Sequence, residues 1–304
     1  IQKVSQSLGW GRAEPPSAPH KRRGKGLAIC WKAPAMPPDA GSEAPIRCNE
    51  DGTVTVGIGG QEIGQGVQTV AAQMAAEALG IPLDWVRVAM PVDTRYSPYE
   101  WQTVASRVTW SLGNALRAAA QDVRQQVLAI VAALWAEDPA DLDIVDGEVI
   151  SYRTERSLSL KKLGMHGLQL PDGTYVGGPI LGRGHFMPTY VTNLDAETGQ
   201  GDRAVVHYTV GCQGVDLEVD SATGQVEILK LVAAYDVGKA INPDQVRAQM
   251  EGGLVQGTSS ALLEALQLKD GRPGNASLVD YRIATVVDTP RQVLPHIVEV
   301  PQDD

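Results

Sequence analysis

Cysteine is scarce: Cys30, Cys48 and Cys212 are the only three in 304 residues. None forms a CxxC pair, and an odd, sparse set does not build a disulfide scaffold. Such usage fits a reducing compartment, the cytoplasm. Three thiols also fall short of the roughly four that an iron–sulfur cluster takes. The chain is therefore not expected to carry a cluster of its own. Histidine is scarce too: the five present show no HExxH or HxH spacing, which argues against a protein-ligated metal site. No apolar run reaches the roughly 20 residues of a membrane span. An excess of positive charge is also missing. The net charge is -10, which argues against a general nucleic-acid role, because phosphate contacts need Lys and Arg. The one basic cluster, His20-Lys21-Arg22-Arg23-Gly24-Lys25, reads as a solvated loop or, more sharply, as an interface with a partner subunit.

What is present suffices for a folded core. The chain is 43% hydrophobic and 20% charged, and its length fits one large or two ordinary domains. Its organising stretch is GGQEIGQG, Gly59 to Gly66. Val54, Val56 and Ile58 alternate before it, as in a strand. Val67, Val70, Ala71, Met74, Ala78 and Leu79 recur after it at helical spacing. Glycine lets the backbone turn and lie close to a ligand. The first N–H groups of a helix lack internal partners, which suits an anion. Gln61 and Gln65 add amides that donate and accept. This reads as a neutral cradle for a polar, anionic cofactor; a purely structural glycine turn is the other reading. The nicotinamide fingerprint GxGxxG fails in register, since position 62 is Glu62, and a phosphate loop with GK[ST] is absent.

A second informative loop is DTRYSPYEWQTVASR, Asp93 to Arg107. It leads into a strong helix predicted over 108–136. Its end, Ser106-Arg107-Val108-Thr109, sets hydroxyls and an Arg beside orphan N–H groups, either as an anion site or as ordinary capping. The third motif is YDVGKAINPDQVRAQMEGGLVQG, Tyr235 to Gly257. Asn242-Pro243 starts a helix predicted over 243–266. Gly252, Gly253 and Gly257 lie inside it, at about 1 kcal/mol each relative to Ala. Something must approach that backbone closely, either another helix or a ligand.

The remaining strands come mostly in hairpins: 46–48 with 53–58, 142–145 with 148–151, and 207–219 with 225–234. Gly26 to Trp31 and Val86 to Val88 read as single strands. Residues 33–45 and 181–201 read as loops, and Val279 to Val287 as a strand before a Pro-broken tail. Hairpins outnumber strict βαβ alternation, so the fold class is α+β, two mixed lobes with hairpin-built sheets and long packed helices. The expected division is a connector over 1–25, one lobe over 26–150 and another over 160–304.

Three motifs then agree in order: GGQEIGQG with TVAAQ behind it, ASRVT with GNA behind it, and DVGKAINP…QMEGGLVQG. They resemble the molybdenum-binding large subunit of the xanthine dehydrogenase, aldehyde oxidase and carbon monoxide dehydrogenase family. The ASRVT…GNA form looks closest to the 4-hydroxybenzoyl-CoA reductase and carbon monoxide dehydrogenase branch. The resemblance runs from about Gly26 to the end. It implies molybdenum held by a molybdopterin, often in the cytosine dinucleotide form, with almost no direct protein ligands. Ile63, Gly64, Gln65 and Gly66 are then expected to line the pterin and molybdenum region. Ser106, Arg107 and Thr109 are expected to contact the pterin or its phosphates. Gln249 is expected to hydrogen-bond the pterin, with Gly253 permitting close packing. The implied activity is hydroxylation of an aldehyde, aromatic heterocycle or related small molecule, with electrons passed to iron–sulfur and FAD partner chains. A non-catalytic scaffold or assembly domain of the same fold is the alternative. The family's GGGFG-type loop does not occur here, and its glutamate base, in a GxGE segment, is expected beyond Asp304. Glu62 does not match that base, so no catalytic residue is assigned, and the isolated chain is expected to be inactive.

Overall fold

The structure, a computed structural model, describes residues 1–33, 37–163 and 168–300. The chain opens with α1 (Gln2–Leu8), β1 (Lys21–Lys32), β2 (Ser42–Cys48), β3 (Val54–Val56), α2 (Val67–Leu79), β4 (Val86–Val88) and α3 (Val108–Trp135). Then come β5 (Leu142–Val145), β6 (Glu148–Ser151), β7 (Ser157–Ser159), α4 (Leu160–Leu163), β8 (Leu168–Gln169), β9 (Tyr175–Val176) and β10 (Leu181–Phe186). Last are β11 (Thr209–Asp220), β12 (Val226–Asp236), α5 (Pro243–Leu262), β13 (Leu268–Lys269), β14 (Arg272–Pro273) and β15 (Gln292–Val298). The α+β expectation holds. The division does not fall where the sequence reading puts it. One unit joins Ile1–Lys32 to Tyr208–Asp304, and the other is the continuous stretch Ala33–His207.

In the 33–207 unit a four-stranded sheet runs in the order β10–β2–β3–β4. β2 and β3 form the expected hairpin, with Ile46 opposite Val56 and Cys48 opposite Val54. β4 then pairs parallel to β3, so α2 is the crossover helix of a βαβ unit. Both long helices lay apolar faces on this sheet. Ala71, Ala75 and Leu79 of α2 and Leu112, Leu116 and Val127 of α3 are all buried in one core. Each fully buried Leu or Val side chain contributes about 1.5–3 kcal/mol.

The 181–201 loop expectation fails over β10, which pairs antiparallel with β2. Its inward residues are Gly182 and Gly184, not apolar side chains. A Cβ on Gly184 would fall on the Ala115 carbonyl, and one on Gly182 on the Ala119 carbonyl. The strand lies flat against the backbone of α3, and glycine is what lets it. β2 likewise begins at Ser42, inside the loop expected over 33–45; residues 34–36 of that loop lie outside the described residues.

In the other unit the sheet order is β1–β11–β12–β15. Side chains of β12 alternate between its faces. Val232 and Ala234 meet Val4 and Leu8 of α1, while Leu231 and Ala233 meet Met250 and Leu254 of α5. The 1–25 segment is therefore no connector: Val4 and Leu8 are buried, and Gly214 leaves room for both. The basic run is no solvated loop either. It begins β1, an edge strand laid against acidic β11. Arg23 donates to both oxygens of buried Asp216, at 3.0 and 2.7 Å. Lys21 lies 3.4 Å from Glu218 and 3.1 Å from Glu227. Arg23→Ala is expected to lower stability by about 2 kcal/mol, because charge-assisted bonds to a buried carboxylate are lost. Urea unfolding reads this directly, and an unchanged midpoint would count against it.

The last sheet strand was expected near 279–287. It is β15, further along, paired parallel to β12. Residues 286–288 instead form a single helical turn. Residues 301–304 of the expected tail lie outside the described residues. α5 thus bridges a second parallel pair.

Candidate functional site

Two of the three motifs follow the strands that open the parallel crossovers. The loop 57–66 leaves β3 and enters α2; the segment 237–242 leaves β12 and enters α5. In open α/β sheets ligands gather at such carboxyl ends.

Within the 33–207 unit the first two motifs meet. Gly60 lies between the two helix starts: its Cβ would stand 3.2 Å from Val108 and 3.6 Å from Val67, the first residues of α3 and α2. The Gln61 N–H donates to the Thr103 hydroxyl at 2.9 Å, tying the glycine loop to the hydroxyl-rich one. Gly59 makes a further close approach, since a Cβ there would strike the Pro98 carbonyl and Glu100.

The loop is tied to itself as well. Gln65 accepts from the Ile63 N–H at 2.7 Å and donates to the Gln61 carbonyl at 2.8 Å. Glu62, assigned nothing from the sequence, is the most connected side chain of the loop. It accepts from the N–H groups of Gly64 at 3.0 Å, Gly66 at 2.9 Å and Gln68 at 3.2 Å. Burial raises its carboxyl, but the N–H groups of Gly66, Gln68, Gly64 and Val67 outweigh burial and hold it below the usual range. The start of α2 already has its anion. Ile63 and Gly64 face outward, and a Cβ on Gly64 would meet nothing within 4 Å.

The start of α3 differs. No side chain caps it and its first turn has no acidic residue. No side-chain hydrogen bond caps the N–H groups at this helix start. Ser106 and Thr109 are exposed beside these donors. Ala105 and Ser106 hold φ of 58° and 57°, left-handed for residues that are neither Gly nor Asn. Such strain costs on the order of 1 kcal/mol or more each and persists where the surroundings impose it, often at functional sites.

Arg107 is placed otherwise than expected. Its side chain is fully buried and paired with Glu100, itself nearly buried. It also donates to the Ser111 hydroxyl and to the Gly41 carbonyl, and lies 5.5 Å from the Trp101 ring centre. Ser42 donates to the other Glu100 oxygen at 2.8 Å. The guanidinium thus anchors the turn before α3 from inside and offers no charge to a phosphate.

The third motif belongs to the other unit. Asn242 caps α5 by accepting from the Gln245 N–H at 3.1 Å, with Pro243 next, as the sequence predicts. One face of α5 packs on the sheet. Gln249, Gly252, Gly253 and Gly257 are exposed, and a Cβ on any of these glycines meets nothing within 4 Å. No helix packs on them, so of the two readings of these glycines the helix partner is absent among the described residues.

The start of α3 is uncapped, beside an α2 start whose donors Glu62 already takes, in an α+β fold. The comparisons name the family. The chain belongs to the family described as the molybdopterin cofactor-binding domain, matched over residues 3–290. It is 32% identical over 277 residues to the xanthine dehydrogenase molybdenum-binding subunit of Escherichia coli O157:H7, covering 89% of this chain and 34% of that protein. It is 27% identical over 250 residues to the carbon monoxide dehydrogenase large chain of Afipia carboxidovorans, covering 82% and 29%. The solved quinoline 2-oxidoreductase of Pseudomonas putida 86 has the same fold, with a TM-score of 0.76 at 22% identity over 99% of this chain and 37% of that one. The chain spans about a third of the length of the curated relatives it matches. No described helix is long and apolar enough to cross a membrane.

Proposed function

We propose that this chain supplies the molybdopterin-binding part of a cytoplasmic molybdenum oxidoreductase. Ile63, Gly64, Gln65 and Gly66 line the pterin and the metal. Ser106 and Thr109, with the N–H groups at the start of α3, take its phosphates. Gln249 hydrogen-bonds the pterin across the open glycine face that includes Gly253. Arg107 takes part by holding the turn that carries Ser106. The dinucleotide form, the iron–sulfur and FAD partner chains, and hydroxylation of an aldehyde or aromatic heterocycle complete the reading.

The observation that carries it is the bare start of α3 beside the glycine loop, in a chain of this family. The residues present fit such a group. Open space at Gly64 and along α5 lets a ligand come close, and no side chain caps the start of α3. When bound, the cofactor supplies two-electron redox chemistry; the residues here bind it, orient it and satisfy its polar edges.

Metal and pterin analysis of the protein, purified with its partner chains from cells that make the cofactor, tests this. Gln65→Ala, Ser106→Ala and Gln249→Ala are each expected to weaken cofactor retention about tenfold, the equivalent of one hydrogen bond to a charged or strongly polar group. A full complement of molybdenum in the triple variant would remove the case for these residues as cofactor contacts.

A further inference from the structure

We propose that the outer edge of β1 is a docking edge. By strand addition it takes an extended segment of a partner protein chain, apolar along its length and acidic at the end beside Arg22. The inference stands apart from the cofactor reading, since β1 holds none of the residues assigned to the pterin.

The two four-stranded sheets end in β1, β15, β10 and β4, and three of these edges are closed. β4 is three residues long. β10 is covered from α3: its Arg183 N–H donates to Asp122 at 3.0 Å, and its Leu181 carbonyl accepts from Gln126 at 3.0 Å. β15 carries Pro295, which has no N–H to offer a further strand. β1 is different. It is twelve residues long, contains no proline and pairs with a strand on one side alone among the described residues. Alternate backbone groups along it therefore point away from the sheet. Such an edge is the template that strand addition uses. Its cations do not close it, because most are already engaged. Arg23 bonds Asp216, Lys21 bonds Glu227, and Lys25 bonds Glu14 at 2.8 Å. From Gly26 to Trp31 the strand has no charge at all.

The chemistry of the occupant follows from what the edge leaves unmet. At one end, α1 covers Leu27 and Cys212 but not the residues beyond them on that face. Ile29 and Trp31 are 65% and 70% exposed. Val210 lies opposite Trp31, and the Tyr208 ring centre is 4.7 Å from that of Trp31. A strand laid along β1 sets every second side chain over this apolar shelf. At the other end Arg22 is exposed and bonds the carbonyls of Pro19 and Lys21 rather than a carboxylate. β11, on the inner edge, shows how this strand is matched: Asp216, Glu218 and Asp220 stand opposite Lys25, Arg23 and Lys21. An outer strand with an acid at Arg22 repeats that match. A second copy of β1 does not. Antiparallel pairing of two copies about the uncharged stretch sets Lys25 opposite Lys32, and like charges directly opposite are destabilising. Charge thus selects a different chain. Antiparallel pairing is the more stable per residue, which puts the acidic end of the partner segment at its carboxyl end.

A synthetic peptide tests this: acetylated and amidated, alternating valine and threonine, and ending in two aspartates. Titrated into the 304-residue chain, it is expected to slow hydrogen exchange of backbone amides between Arg22 and Trp31 and in no other strand. The same peptide ending in two lysines is expected to bind about fivefold more weakly, the worth of an exposed ion pair. Arg22→Glu is expected to reverse that preference. Ile29→Lys puts a charge in the middle of the edge at an exposed position, so its urea midpoint is expected to match the wild type. It is expected to weaken both peptides about tenfold or more. No slowing at about 1 mM peptide would overturn the proposal. So would slowing in another strand, an unreversed preference in Arg22→Glu, or an Ile29→Lys chain that binds like the wild type. A wild-type chain that sediments as a dimer, and as a monomer with Ile29→Lys, would assign the edge to a second copy and overturn it too. Arg22→Glu leaves the apolar shelf intact and decides the matter if Ile29→Lys proves unstable.

Discussion

Arg107→Ala is expected to lower the free energy of unfolding by about 3–5 kcal/mol. The guanidinium is fully buried and the Glu100 side chain nearly so. Removing Arg107 leaves a carboxylate in the interior with the Ser42 hydroxyl as its remaining side-chain donor. Domains of ordinary stability hold about 5–15 kcal/mol, so this is a large share of the total. Replacing both partners, Arg107→Met with Glu100→Leu, is expected to be far milder because no charge stays buried. The loss should also depend on pH. Burial raises the Glu100 carboxyl, and Arg107 and Ser42 pull it back. In the variant the Arg107 pull is gone, so the folded-state value climbs further above the unfolded one. A group raised in this way contributes fully below its unfolded value, and that contribution is lost as pH rises through its folded value. The deficit of Arg107→Ala is therefore expected to shrink as the solution is acidified toward the ordinary carboxylate range. Urea unfolding of both variants near neutrality and at lower pH measures it. A loss below about 1 kcal/mol would rank this pair with exposed ones and defeat the argument.

Gly184→Val is expected to cost about 3 kcal/mol or more, at the top of the range for overpacking. A Cβ at that position falls on the Ala115 carbonyl and presses the Ala119 nitrogen. Both are backbone atoms of α3, so no rotamer change relieves the clash. The strand must lift off the helix. Phe186, two residues on, would be drawn from its edge contact with Trp110, where the ring centres are 4.8 Å apart. The expected signature is a lowered urea midpoint with altered tryptophan emission. A midpoint equal to that of the wild type would mean that the strand and helix are not in the close contact described.

These residues also mark where the sequence stops being readable. α2 and α3 were legible because their apolar spacing has the helical period, α5 because Asn242-Pro243 marks a helix start, and the hairpin of β2 and β3 because a turn joins alternating strands. β10 alternates too, but its inward positions are glycines, which carry no hydropathy signal. β15 contains Pro295 and its partner β12 lies a whole helix away in the chain, so nothing local announced it. As an edge strand it tolerates the proline. α1 is seven residues with two buried side chains, too short for a period. At the candidate site the glycine loop and the helix starts were visible as turn and cap chemistry. The strain at Ala105 and Ser106 was not, since neither residue type signals it. Arg107 misled because a charged residue in a hydroxyl-rich loop reads as surface. Glu62 was passed over because its role lies in three backbone donors that only the folded loop gathers.

β1 and β11 pair along their whole length, from Lys21 opposite Asp220 to Lys32 opposite Thr209. The stretch 33–207 therefore leaves the sheet and returns to it at one spot, as a single insertion between the two arms of a hairpin. During synthesis β1 emerges before the insertion, yet the strand that covers it is made only after the entire insertion. Until then its twelve backbone residues have no ladder partner. An insertion that folds on the way replaces a long floppy closure with a compact one, and closure entropy grows only as the logarithm of the flexible length. The connectivity therefore favours one order of assembly: the inserted body first, then the sheet that its two ends zip together.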